Sequence, residues 1–565
     1  MNFIEKIQLF FHVLRWRFTW NRRKLDFLPK GKLSAKFITA REAAKRIPDG
    51  ASVFSCGMAG NARCSVFYWA IRENFLKTGH PRDLTWMNVG AQGGRGKVPG
   101  TVEEIGLPGL MRRYIAGHLE TAKAQLRLGE SGQLELYTMP QGVLTFLVEA
   151  QSQGQFEVLS PVGVGTFLDP RVGPGSRVTP GAASRFIEPE GDQLRYTLPK
   201  IEYVLFNVPH ADAEGNLYFH DASCLSESVP ALRAALANKG VVMATVADII
   251  PKDASRISIP ASEVDLIVVH PLNEQTATIR QLRYWPLFTP GANADVDWAK
   301  AKLNFINRML KITPVRNAVD NAVERVAAWL FSKVIPKGSM VNIGVGHPEE
   351  VARNLVEQGL GKDLVFTTEA GAYGGLPIPG IFFGSAINPE KLISSTEMFH
   401  IYQEKLGVCV LGFLQVDKEG NVNAAKRGPR VTDYVGPGGF PDISSAARTV
   451  IFVGSWMADA AFQLAGGKLS ITKPGKPKFV DHVDEITFSA VEALRRGKQV
   501  YYVTHVGIFQ LTPDGLKLLY AMPGIDLQRD ILDATGLPIA LPEGDIPWIP
   551  KSAVDGIGYR LAWAD

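Results

Sequence analysis

The sequence predicts an α/β protein built as two related, open lobes with parallel-rich sheets. Three observations carry that prediction. Short Val- and Ile-rich runs recur along the chain with helix-like stretches between them, the pattern of parallel strands covered on both faces. Two turn sequences occur twice in the same order: Ile47-Pro-Asp-Gly50 and Ile335-Pro-Lys-Gly338, then Asp212-Ala-Glu-Gly-Asn216 and Asp417-Lys-Glu-Gly-Asn421. Such an ordered echo points to an internal duplication. Finally, 565 residues exceed what one ordinary core holds.

Taken in order, the chain opens on a leader, residues 1–35, in which eight Lys and Arg face two Asp and Glu, a net +6 against +5 for the whole protein. The remainder is therefore close to neutral, which excludes the basic face a nucleic-acid binder needs. Residues 1–24 mix aromatics with cations. Their apolar run is too short to span a bilayer and has no small-residue cleavage site. Two readings stay open for them: an amphipathic helix in peripheral contact with an anionic membrane, or a helix packed on the body or on a neighbouring subunit. The four cysteines, Cys56, Cys64, Cys224 and Cys409, form no Cys-x-x-Cys pair. That fits a reducing, cytoplasmic setting, with membrane association through the leader as the variant.

From residue 36 to 285 a first lobe is expected, with strands at Ala51–Ser55, Tyr203–Val208, Val241–Val246 and Asp265–His270. Pro286, Pro290-Gly-Ala-Asn293 and Pro314 mark a linker over 286–316. The second lobe, 317–565, starts on a helix over Asn317–Ser332. Its strands are expected at Met340–Ile343, Leu364–Phe366, Val408–Val416, Thr449–Gly454 and Gln499–Thr504, with a helix over Glu350–Gln358.

Within that lobe, Leu364 to Phe366 leads into Thr367-Thr-Glu369, followed by four glycines and two prolines before Ile381. A carboxylate at a strand end, where the backbone can approach a ligand, is a functional candidate. A turn carboxylate is the plain alternative. Gly344-Val-Gly-His-Pro348 is a glycine turn with proline opening a helix, either an anion site or a tight turn. Gly436-Pro-Gly-Gly-Phe440 offers successive amides to an oxyanion, or simply stops a helix. Further glycine turns lie at Cys56–Gly60, Gly93–Lys97, Pro140–Val143 and Val162–Phe167. There is no Walker A loop, no Gly-x-Ser-x-Gly elbow and no His-Glu-x-x-His, and the ten histidines show no metal-ligand spacing. Few catalytic groups rival Glu369, and no metal is expected.

These motifs resemble the family I coenzyme A transferases, particularly the long single-chain acetate/propionate type. Gly344–Pro348 is similar to that family's coenzyme A loop. Thr368–Gly375 with Phe383–Pro389 is similar to the segment of its catalytic glutamate, and Gly436–Phe440 to its Gly-x-Gly-Gly-Phe loop. In the first half, Thr78–Leu84, Pro140–Val143, Gly165–Arg171 and Ala211–Asn216 resemble the family too. The likeness runs from about Lys36 to the C-terminal region.

The resemblance implies an active site between two α/β lobes, in a homo-oligomer. It implies ping-pong transfer of coenzyme A from an acyl-CoA to a carboxylic acid through a glutamyl-CoA thioester on Glu369. It places Gly436, Gly438 and Gly439 at the oxyanion, and Gly344, Val345, Gly346, His347 and Pro348 against coenzyme A, the co-substrate. Gln141 with Gly371, Gly374 and Gly375 would border the acyl group. An acyl-CoA hydrolase and a non-catalytic, membrane-associated coenzyme A binder are the alternatives. One segment departs from the pattern. Where the family has Phe-Asp-x-Tyr-Asp-Gly-Gly-Gly-Leu-Asp, this chain has Phe399-His-Ile-Tyr-Gln-Glu-Lys-Leu-Gly407, expected as an altered loop bearing on acyl preference.

Overall fold

A computed structural model describes residues 1–19, 21–94, 98–273, 285–310, 316–378 and 380–564. The Gly93–Lys97 turn is only partly within them, and residues 311–315 of the expected linker lie outside them.

Two large sheets organise the chain. In the first, Ser52–Ser55 is central. Tyr203–Ala211, Val241–Ile249 and Leu266–Val269 lie on one side of it, and Leu84–Asn88, Met111–Ala116 and Glu135–Thr138 on the other, all parallel. In the second, Val365–Thr367, Met340–Ile343, Leu406–Leu411, Thr449–Val453 and Gln499–Val503 run parallel in that order. Antiparallel strands close both of its edges: Ala372–Tyr373 with Lys391–Leu392 beside Val365–Thr367, and Gly507–Thr512 with Gly515–Ala521 at the far side. The central strands are buried along nearly their whole length, as expected of sheets covered by helices. The fold is thus two related α/β lobes with parallel-rich sheets.

The duplication is visible in the bonding of the echoed turns. Gly50 and Gly338 each donate their N–H to the residue just ahead of the neighbouring strand, Arg82 O and Asp363 O, at 2.9 and 2.8 Å. The second pair matches more closely still. Asp212 N–H donates to Asn216 O and Asp417 N–H to Asn421 O, both at 3.0 Å. In each turn the Asn side chain donates back to the Asp carboxylate, at 2.7 and 3.0 Å. In each, the Asn side-chain Oδ1 accepts a distant alanine N–H, from Ala261 at 2.8 Å and Ala490 at 2.9 Å. The sequence is kept because it clamps the same turn twice.

Three corrections concern elements. The expected strand Val408–Val416 ends at Leu411, and Gln415–Asp417 belongs to a separate three-stranded sheet. Leu414 N–H already pairs there, with Asn423 O at 2.8 Å, so the apolar run conceals a turn. Met111–Ala116 and Glu135–Thr138 were hidden by their charges; Arg113 and Glu135 are cross-strand partners joined by a 3.2 Å ion pair. The segment from Phe399 is no loop up to Lys405. It continues the helix Ser395–Lys405, with Ser394 Oγ accepting Glu397 N–H at 3.1 Å as its N-cap. Without glycines, Gln403-Glu-Lys405 simply propagates that helix.

The leader forms a helix, Phe3–Thr19, and a second helix, Val296–Leu310, lies within the expected linker. Val13 and Trp16 of the leader are buried in a cluster with Leu303 and Ile306. Among the described residues no helix is long and apolar enough to cross a membrane.

Candidate functional site

The strand Val365–Thr367 stops because Thr368 turns the chain. Its hydroxyl donates to Gly384 O at 2.9 Å and accepts Ala372 N–H at 3.2 Å, while Gly371 N–H donates to Thr368 O at 3.0 Å. Glu369 and Ala370 sit at the apex of this turn. Gly371 has φ +106°, and a Cβ there would lie 1.9 Å from Ile393 O. Only glycine fits. Gly374 and Gly375 lie in the same hairpin, packed against Glu390 and the Ile387 carbonyl. These three glycines shape the turn that presents Glu369.

Glu369 is partly buried, and desolvation alone pushes its carboxyl up to about 7. Its nearest wall is the Gly436–Phe440 loop. A Cβ on Gly439 would fall 2.0 Å from Glu369 Oε2, so this glycine is required by the approach of the carboxylate. Of the loop amides, Gly436 N–H donates to Ala425 O at 3.1 Å and Gly438 N–H to Gly117 O at 2.8 Å. The Gly439 N–H makes no hydrogen bond among the described residues. The loop therefore leaves the Gly439 amide beside the glutamate and spends that of Gly438 on the first lobe.

The first lobe grips this loop firmly. Leu119 N–H donates to Val435 O and Gln141 N–H to Gly438 O, both at 2.9 Å. Gln141 begins the helix Gln141–Ser152, and its side chain is buried without a hydrogen bond among the described residues. Asp442, just past the loop, accepts Gly142 N–H at 2.9 Å and Val143 N–H at 3.0 Å. One lobe's carboxylate thus caps the other lobe's helix, where the helix dipole favours negative charge. Burial nevertheless pushes the Asp442 carboxyl up to about 8, with the Glu369 charge adding to the rise. In Asp442→Asn one of those two N–H groups meets an amide N–H instead of an acceptor. Thermal or denaturant unfolding is expected to show a loss of about 1–3 kcal/mol, the cost of a buried group left unsatisfied.

Two further contacts frame Glu369 from the first lobe: Ser226 N–H donates to Ala370 O at 3.3 Å, and Asn61 Nδ2 donates to Phe383 O at 3.0 Å. Next to Ser226, Glu227 is a second buried carboxyl pushed up to about 7, chiefly by burial, with Gly57 N–H bound at 2.9 Å. Nothing in Ser226-Glu-Ser228 marks it in sequence. Asp442 did carry a signal, as an acid in the first turn after a glycine loop.

The Gly344–Pro348 turn lies on the same carboxyl edge, since its strand Met340–Ile343 pairs with Val365–Thr367. Gly344 N–H donates to Val410 O at 2.8 Å, whereas the N–H groups of Val345, Gly346 and His347 bond nothing among the described residues. Val345 is exposed, and Pro348 leads into the helix Glu349–Glu357. His347 Nδ1 lies 3.3 Å from the buried Glu324 carboxylate, which Arg316 also reaches at 3.3 Å. Arg316 and Glu324 were not singled out in sequence.

Between the lobes lies a cavity of about 540 Å³. Phe146 and Glu149 of the first lobe line it with Phe399, His400, Gln403 and Asp442 of the second. The departing segment therefore faces the first lobe, and His400 Nε2 pairs with Glu149 at 2.7 Å. Tyr402 receives a 3.0 Å hydrogen bond from Asn342 Nδ2, and burial together with the Glu369 charge raises its phenol. As to metal ligands, His210, His220 and Asp221 are the group that converges among the described residues. His210 Nε2 already pairs with Asp221 at 2.8 Å, an ordinary His–Asp contact.

Comparison with known proteins follows the same lines. The family profile described as "Coenzyme A transferase" matches residues 326–505. Caffeate CoA-transferase of Acetobacterium woodii is 33% identical over 515 residues, covering 88% of this chain and 94% of that protein. Acetate CoA-transferase YdiF of Escherichia coli O157:H7 is 31% identical, covering 90% of this chain and 93% of its own length. The crystal structure of that bacterium's acyl-CoA transferase (YdiF), a thioester complex with CoA, matches with a TM-score of 0.82 at 27% identity. It covers 95% of this chain and 100% of that one.

Proposed function

As this chain belongs to the coenzyme A transferases, transferases of sulfur-containing groups (EC 2.8.3.-), we propose that it transfers coenzyme A by ping-pong chemistry through a glutamyl-CoA thioester on Glu369. The observation that carries this reading is a partly buried, desolvated carboxylate presented on a strand-end turn against the Gly439 amide, which has no hydrogen-bond partner among the described residues.

The ionised Glu369 oxygen attacks the acyl-CoA carbonyl, and the negative charge moves to the carbonyl oxygen, where the Gly439 N–H stabilises it. The C–S bond breaks, giving free CoA thiolate and an acyl-glutamyl anhydride. The thiolate attacks the glutamyl carbonyl of that anhydride and expels the first acid as a carboxylate, leaving the glutamyl-CoA thioester. An acceptor carboxylate reverses these two steps and departs as the new acyl-CoA, restoring Glu369. No net proton is taken up. The amides of Val345, Gly346 and His347 are the proposed contacts for the coenzyme A body, whose binding can pull the thioester towards the glutamate. The YdiF thioester complex with CoA supports this reading by relation.

Burial also favours the neutral glutamic acid, and attack requires the anion. Because the carboxyl sits at about 7, kcat/KM for the acyl-CoA is expected to rise with pH through neutrality; a flat profile there contradicts a protonatable Glu369 nucleophile. The transfer itself is tested with an acyl-CoA and an isotope-labelled short-chain carboxylic acid. Labelled acceptor-CoA is the expected product. Free CoA with no labelled thioester assigns the chain to hydrolysis instead. The acceptor panel should include acetate and an aromatic propenoic acid, since the relatives are named for acetate and caffeate. A homo-oligomer belongs to the same proposal and is read out by sedimentation equilibrium.

A further inference from the structure

The leader helix Phe3–Thr19 has two apolar faces, and the body uses one of them. On the inner face Val13 and Trp16 are buried against Val296–Leu310. Glu5, the acidic residue of the helix, is turned inward, and Trp298 Nε1–H donates to it at 3.1 Å. On the outer face Ile4, Ile7, Phe11, Leu14 and Phe18 recur at spacings of three and four residues, which aligns them in one stripe along the helix. Phe11 and Phe18 are 63% and 84% exposed, and Ile4 is 66% exposed. Lys6 and Arg15 of the helix are exposed, as is Lys24 beyond it.

We propose that this outer face seats on an anionic lipid bilayer, the helix lying in the plane of the interface with its stripe inserted and its cations at the headgroups. The charge pattern selects the occupant. A second copy of the same helix laid face to face would set Lys6 and Arg15 against identical cations, and the acid of the helix, Glu5, is turned inward. A negatively charged headgroup layer supplies the complement over the full length of the helix. The helix does not cross the bilayer: it is 17 residues long and carries Glu5, Lys6, Arg15 and Arg17. The cluster holding its inner face also contains Leu376, Ile378 and Phe382, which follow Glu369 in the chain. The membrane-facing helix is thereby fastened to the segment that continues from the glutamate turn. Neither the stripe nor its cations enter the proposed chemistry, so this inference stands apart from the transfer mechanism.

The test is flotation of the full-length protein with phosphatidylcholine vesicles, with and without an equal share of phosphatidylglycerol, at low and high salt. The protein is expected to float with the anionic vesicles, much less with phosphatidylcholine alone, and less at high salt. Phe11→Asp with Phe18→Asp is expected to lower vesicle partitioning by roughly a hundredfold, the ratio lost with two large apolar side chains. The same variant should keep the wild-type transfer rate in free solution, which separates loss of docking from loss of fold. Wild-type protein that stays with the soluble fraction overturns the proposal, and so does a double variant that floats equally well. A fall in oligomeric mass in the double variant, without vesicle binding by the wild type, assigns the stripe to a second copy and overturns it too.

Discussion

Glu369→Gln abolishes transfer and leaves a folded protein. Loss of a covalent nucleophile lowers turnover on the order of 10⁶-fold, and no second carboxylate replaces it. Asp442 is held by the amides of Gly142 and Val143, and Glu227 by that of Gly57. The substitution also changes stability in a direction fixed by linkage. The Glu369 carboxyl rises from 4.5 to about 7 on folding, so the folded state holds the proton more tightly than the unfolded chain. The benefit of that proton is complete below 4.5 and is lost as pH climbs through about 7. At higher pH the wild type bears the cost of a partly buried charge. Glutamine has no such cost. Glu369→Gln should therefore unfold at higher temperature than the wild type in alkaline buffer, and the two should converge in acid. Full activity in the variant would remove Glu369 from the mechanism.

Gly439→Ala is expected to separate catalysis from folding. The backbone there has φ −85°, which alanine adopts without strain. Its Cβ would touch Ile443 Cδ1 at 3.3 Å and collide with the Glu369 carboxylate, Oε2 at 2.0 Å and Cδ at 2.8 Å. That is the far end of a flexible side chain, so the carboxylate swings aside and the fold changes little. A nucleophile displaced by about 1 Å loses on the order of 10²-fold in kcat. The expected result is a kcat lowered by about that factor, an unfolding temperature near that of the wild type, and a little-changed KM for acyl-CoA, because Val345 to His347 are untouched. Equal losses in stability and activity would show that Gly439 serves the fold alone.

The parallel strands of both sheet centres were legible in the sequence wherever Val and Ile run together, as in Val241–Ile249 and Thr449–Val453. Strands with charged or mixed residues were not. Arg113 and Glu135 look like surface residues until the register sets them opposite each other. The echoed Asp–Asn turns were legible because one bonding scheme needs the same residue types at the same spacing. In the site, the turn bearing Glu369 and the two glycine loops announced themselves, since close approach at Gly371 and Gly439 and positive φ at Gly346, Gly436 and Gly438 favour glycine. Their interlobe partners did not. Asp442 meets Gly142 three hundred positions away in the chain, and nothing local encodes that contact. The spending of the Gly438 amide on Gly117 and the freedom of Gly439 were equally invisible, because both depend on how one lobe docks against the other. Phe399–Lys405 was misread as a loop because the family pattern carries glycines there. Read for its own helix formers behind the Ser394 cap, the segment is an ordinary helix.

The most direct measurement is the mass of the protein after incubation with an acyl-CoA and no acceptor acid, followed by peptide mapping with and without borohydride. The mechanism predicts a CoA-sized adduct on the peptide containing Glu369, converted by borohydride to the alcohol of that side chain. The adduct should disappear when an acceptor carboxylate is added. Turnover in the presence of acceptor, with no adduct trapped at Glu369 from any of a panel of acyl-CoAs, would contradict it.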